Sequence, residues 1–180
     1  MKNDTVSQYS VILEFIDKCS EKKFLDEKDW IVLKQCMSGA SSDDKYILCE
    51  WLSMFFNNES EQILISMLSD NDSLVRAAAC DSLSCSISLE VIDVLTKTLK
   101  SDRNKIVRGY AALSIGDIQK KNIINKENVV KLLRDQYARE KSIWTQIAIA
   151  RSLVVLNDDS YLDDIYDAIK KDGKKNLHML

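Results

Sequence analysis

DSLVRAAACDSLSC, residues 72–85, and NKIVRGYAALSIGD, residues 104–117, share one skeleton. Each sets Val-Arg ahead of two residues, then a pair of small residues, then an aliphatic residue eight positions after the valine. Val75 and Val107 serve as landmarks, and weaker copies flank the two, with Asp44 in the valine position before Val75 and Thr145 in that position after Val107. Four positions past these landmarks stand Leu48, Ala79, Ala111 and Ile149, and five past stand Cys49, Cys80, Ala112 and Ala150. Eight past stand Leu52, Leu83, Ile115 and Leu153. These offsets trace one face of an α-helix. Small residues at its centre let a neighbouring helix come close, so these are packing positions first.

After each copy comes a second amphipathic segment: ESEQILISMLSD, SLEVIDVLTKTLKSD, KENVVKLLRDQYARE and SYLDDIYDAIKK. Each unit is therefore a first helix, carrying the landmark, followed by a second helix. N-caps are expected at Asp72, Asn104 and Ser142, three residues before the landmarks, and at Ser88 and Ser160 before second helices. The longer spacing after the third copy falls in the turn QKKNIINKE, residues 119–127, where an insertion leaves the stacking intact. The chain has no proline and only 4 glycines, which removes the usual means of making hairpins and flexible linkers. The fold expected is all-α, a right-handed α-solenoid of about five antiparallel helix pairs in a single domain of residues 1–180. Residues 1–40 read as an N-terminal capping pair, with Val6, Tyr9, Leu13 and Ile16 on one apolar face, Trp30, Leu33 and Met37 on the other, and Asp26 as a cap. Residues 41–172 hold the four repeats; Gly173 ends the last helix, and 173–180 form a tail.

The phrases VRAAACDSL and VRGYAALSIG, each followed by a second helix ending near Ser-Asp, resemble HEAT repeats, especially the short HEAT-like type of the phycobilisome lyases. The resemblance covers roughly residues 40–170. Two departures stand out. The turn proline of that pattern is missing, and Lys45 and Gln146 replace the arginine represented by Arg76 and Arg108. In repeats of this kind the arginine typically reaches an acidic turn, and Asp70, Asp72 and Asp102 are placed to receive it. The alternative is an anion-binding row of Lys45, Arg76, Arg108 and Gln146.

Composition narrows the function classes. With 46% hydrophobic and 29% charged residues the chain reads as a folded soluble protein. Its N-terminal apolar stretch is broken by Glu14 and Asp17, so neither a signal peptide nor a membrane span is read there, and a cytoplasmic location is expected. Five cysteines without C-x-x-C spacing and a single histidine, His178, point to reduced thiols, no metal and no cofactor. Carboxylate pairs such as Asp43-Asp44, Asp158-Asp159 and Asp163-Asp164 sit at helix starts, where capping accounts for them, and no catalytic residue is assigned.

Charge is unevenly spread. Residues 1–72 hold seven Lys/Arg against fourteen Asp/Glu, whereas residues 97–141 hold twelve against five, within a net charge of −3. Second helices are taken to line the concave side, where Asp93, Thr96, Lys97, Lys100, Lys131, Arg134, Asp163, Tyr166 and Asp167 point outward. Lys131 falls in register between Asp93 and Asp163, so ion pairs between units are expected to absorb part of the positive charge. Ile65 takes the place of Thr96 one unit earlier, and with Tyr166 it completes the expected partner-binding set of Ile65, Lys97, Lys100, Lys131, Arg134 and Tyr166. The function expected is a non-enzymatic protein-binding module, an adaptor, regulator or immunity-type protein, monomeric and recognising an acidic protein surface, with no membrane or nucleic-acid partner. Two alternatives stay open. One is a HEAT-like DNA glycosylase using Tyr166 and Asp163 or Asp167, against which the sequence pI near 5.3 counts. The other is a chromophore-lyase-like chaperone.

Overall fold

The computed structural model describes residues 10–122, 124–167 and 170 of the chain. They form α1 (Val11–Cys19), α2 (Glu27–Met37), α3 (Ser42–Met54), α4 (Asn58–Met67), α5 (Ser73–Leu83), α6 (Leu89–Ser101), α7 (Lys105–Lys121), α8 (Lys126–Arg139) and α9 (Ile143–Val155), then a 3-10 turn over Asp159–Tyr161. Residues 162–167 are helical as well, and no strand occurs among the described residues. The fold is an all-α solenoid. Gly173, His178 and the tail lie outside the described residues, as do Val6 and Tyr9.

Local chemistry explains where the helices begin. Asp72, Ser88, Asn104 and Ser142 cap α5, α6, α7 and α9 through their side chains, as expected. Asp26 caps α2 in a reciprocal capping box with Asp29, and Ser41 does the same for α3 with Asp44. Ser160 does not cap a second helix. It lies inside the 3-10 turn, and the cap there is Asp158, which accepts from the Ser160 backbone. Asn125 precedes α8 in the left-handed conformation, φ 61°, with no side-chain cap. The long turn is shorter than expected because α7 takes up most of the extra residues, running 17 residues against 11 in α5.

Contacts between helices set the shape. α3, α5, α7 and α9 pack each on the next, and α1 extends this row beyond α3. Each second helix packs more extensively on the first helix of the following unit than on its own: α4 on α5, α6 on α7, α8 on α9. The reason is the central small residues. Leu48, Ala79, Ala111, Ala112, Ile149 and Ala150 are all fully buried, and the alanines bring the first-helix row close together. The first helices thus form one continuous, closely packed row, and each second helix is seated against it.

Two glycines sharpen the close approach. A Cβ on Gly116 would fall 2.7 Å from the Ser152 Cβ, and one on Gly109 would collide with the Trp144 indole nitrogen. Both lie on α7 and face α9. A ladder of buried serines, unanticipated from the sequence, runs along the first-helix row. Seven residues past the landmarks, Ser82, Ser114 and Ser152 donate to the carbonyls of Cys49, Cys80 and Ala112 in the preceding unit, at 2.8, 2.7 and 2.9 Å. Each hydroxyl satisfies itself on the neighbouring helix and so fixes the register between units.

In the capping pair, Trp30 and Leu33 are buried and Met37 packs on the core, as expected. The face of α1 is rotated: Ile12, Phe15 and Cys19 are buried while Leu13 is exposed. Phe15 meets Trp51 edge-on at 5.8 Å, and that aromatic contact decides which side of α1 turns inward. The five cysteines are free thiols, four of them buried or half-buried and Cys85 exposed.

Candidate functional site

The arginine row is occupied by the fold itself. Arg76 forks onto Asp102 at 2.7 and 2.9 Å and donates a further pair of bonds to the carbonyls of Asp70 and Asn71. Arg108 forks onto Glu140 at 2.8 Å twice and reaches the Asp102 carbonyl. Lys45 pairs with Asp70, and Gln146 donates to the Glu140 carbonyl. Asp72 serves as the α5 cap rather than as an arginine partner. The carboxylates also hold the next helix: Asp70, Asp102 and Glu140 accept from the backbone of Asp72, Asn104, and Lys141 with Ser142. Burial works against the charge of Asp102, but the Arg76 fork and the Asn104 N–H together outweigh it and hold its carboxyl below the ordinary range. This row clamps one turn to the next and has no capacity left for an anion.

The expected partner set is not brought together. Lys97 and Lys100 are exposed on α6 and Lys131 on α8, while Arg134 bonds Asp158 at 2.7 Å. That contact and the Ser160 hydroxyl hold the Asp158 carboxyl down at about 2. Lys131 forms no ion pair with Asp93 or Asp163 among the described residues; the link from α8 runs through Arg134 instead. Ile65 is half-buried on α4, and Tyr166 lies toward the other end of the array with Lys170 over its ring at 4.1 Å. No hot spot combines them.

The exposed side of the first-helix row offers a different constellation. Two and three residues past the landmark, α3 exposes Tyr46 and Ile47, while the equivalent Ala77 and Ala78 of α5 are only 5% and 8% exposed. On this side α5 presents small, covered side chains where α3 presents larger exposed ones. Tyr46 on α3 and Tyr110 on α7 flank α5 from opposite sides, yet stand near enough to interact electrostatically across it. Six past the landmark come Glu50 and Asp81; α7 has Leu113 at that offset and contributes Asp117 ten past Val107. Tyr46 donates to Glu50 at 2.9 Å, and Arg151 of α9 pairs with Asp117 at 2.9 Å. The Asp81 carboxylate has neither a hydrogen bond nor an ion pair among the described residues. Asp81 is exposed at its surface, yet the protein atoms around its carboxyl desolvate it enough to push its pKa up, and the charges of Asp117 and Glu50 push it further. Beyond Tyr110 the wall continues with Trp144, its ring 6.4 Å away, in the space that Gly109 leaves open. The sixth offset reads Glu50, Asp81, Leu113 and Arg151, so no repeated residue in the sequence marks this face.

No group of three or more potential metal ligands occurs among the described residues, and no described helix is long and apolar enough to cross a membrane. Residues 31–116, from α2 to the last turns of α7, match the family model for HEAT repeats. That span is similar to HEAT repeats, in keeping with the stacked helix pairs. No curated protein and no solved structure matches the chain.

Proposed function

We propose that the chain is a non-enzymatic protein-binding scaffold whose groove along the first-helix row, centred on α5 between α3 and α7, receives a basic segment of a partner protein. The observation that carries this reading is Asp81: a carboxylate without a counter-charge, partly desolvated between Glu50 and Asp117. A lysine or arginine seated there supplies the counter-charge that Asp81 lacks, and Tyr46, Tyr110 and Trp144 supply aromatic faces for its aliphatic stem and charge. The acid-lined groove argues against the glycosylase alternative, since a nucleic-acid backbone needs cations along the face it contacts. Nothing in the groove favours a chromophore. A chain of this kind acts as an adaptor or regulator by holding its partner, without altering it covalently.

The test is recovery of the partner on immobilised protein, followed by hydrogen exchange on the complex. Binding should protect α3, α5 and α7, and Glu50→Gln with Asp81→Asn should weaken it about tenfold while leaving the melting midpoint unchanged or raised, because a repulsion is removed. Protection confined to α4, α6 and α8, or recovery of nucleic acid instead of protein, refutes the proposal.

A further inference from the structure

Part of the positive charge of residues 97–141 gathers at the edge where second helices turn into first helices. There a cleft of about 440 Å³ opens between the α6–α7 and α8–α9 turns. Lys100 enters it from the last turn of α6, Arg139 from the last turn of α8, and Lys141 from the turn that follows; all three are exposed. Gln136 adds an amide from α8. Two carboxylates also border the cleft, Asp102 and Glu140, but neither is available to these cations. Asp102 is taken by the Arg76 fork and the Asn104 backbone, and Glu140 by the Arg108 fork and the backbone of Lys141 and Ser142. Lys100, Arg139 and Lys141 have no ion-pair partner among the described residues.

The arginine clamp thus does more than join the turns: by consuming both local carboxylates it leaves three cations around one cleft without internal compensation. We infer that this cleft is a second binding site, independent of the groove, for an acidic segment of a protein, one rich in Asp and Glu. Charge complementarity selects that occupant, with cations on both sides of the cleft and an amide donor to a carboxylate. The cleft is the size of a few side chains, and the chain around it carries a net charge of −3. A duplex would have to lay its phosphates along that acidic surface, whereas a short acidic peptide touches the cleft alone. A protein with an acidic groove and a basic edge can hold two partners of opposite charge at once.

The probe is a fluorescent twelve-residue peptide of alternating Glu and Asp, titrated by anisotropy at low salt against the whole chain. Two charge-reversed variants separate local from general electrostatics: Arg139→Glu with Lys141→Glu inside the cleft, and Lys126→Glu with Lys131→Glu outside it. Both change net charge equally, and both sets of side chains lie on the surface, so folding is checked by melting. The proposal expects saturable binding by the native chain, a loss of tenfold or more in the cleft variant, and a change within about twofold in the outside variant. No binding by the native chain, or equal losses in both variants, overturns it. So does tighter binding of a DNA duplex or inorganic phosphate than of the peptide, or a dimer in sedimentation that the cleft variant alone abolishes, which would make a second copy of the chain the occupant.

Discussion

Gly116→Ala tests the closeness of the α7–α9 contact directly. Within a helix this exchange alone is favourable by about 1 kcal/mol, since alanine restricts the unfolded backbone more than glycine does. At Gly116 the new Cβ meets the Ser152 Cβ at 2.7 Å, its Oγ at 2.9 Å and its backbone Cα at 3.0 Å. No side-chain rotation relieves all three, because the Cα belongs to α9 itself. Separating the helices strains the packing by about 1–3 kcal/mol. It also stretches the 2.9 Å bond from Ser152 to the Ala112 carbonyl, worth about 1 kcal/mol when buried. The net expectation is destabilisation of about 2 kcal/mol, which for a chain of this length lowers the melting midpoint by about 4–8 °C. Gly39 is the matched control. Nothing lies within 4 Å of its would-be Cβ, so Gly39→Ala should be neutral or stabilising by up to about 1 kcal/mol. Circular dichroism melts of both variants decide the matter. A midpoint for Gly116→Ala at or above that of the native chain, or the same response at both glycines, would show that the first-helix row is not as tight as argued.

Asp102→Asn should destabilise by about 3 kcal/mol, because Arg76 is only 5% exposed and loses its charged partner; urea unfolding measures it, and a change under about 0.5 kcal/mol defeats the clamp argument. The clamp also predicts acid sensitivity: the carboxyls of Asp158 and Glu140 are held down in the folded state by Arg134 and Arg108 respectively. Their contribution is present above the ordinary carboxylate pKa and is lost as pH falls through the folded values. Stability should therefore drop from just above pH 4 down to about 2, the value for Asp158, and an acid limb without this drop counts against the pairing.

The repeating face at offsets four, five and eight was legible in the sequence because it is local: it depends only on helical periodicity, and Leu48, Ala79, Ala111 and Leu153 are buried where that periodicity places them. The caps at Asp26, Asp72, Ser88, Asn104 and Ser142 were legible for the same reason, since a cap bonds within three residues of itself. The arginine row was half legible. Its acceptor Asp102 was read from the acidic turns; Glu140 was missed although it stands five before Thr145, as Asp70 and Asp102 stand five before Val75 and Val107. The close stacking of the first helices belonged wholly to tertiary structure. It depends on how closely helices far apart in the chain approach, as where Gly109 and Gly116 meet residues of α9. The groove inherits this: Tyr46 and Tyr110 belong to different repeats and face each other across Ala77 and Ala78 because α3 and α7 both pack on α5. The amphipathic pattern of each helix says which side is buried. It cannot say toward which partners the remaining side is turned, because that direction is set by the sum of packing contacts along the whole array.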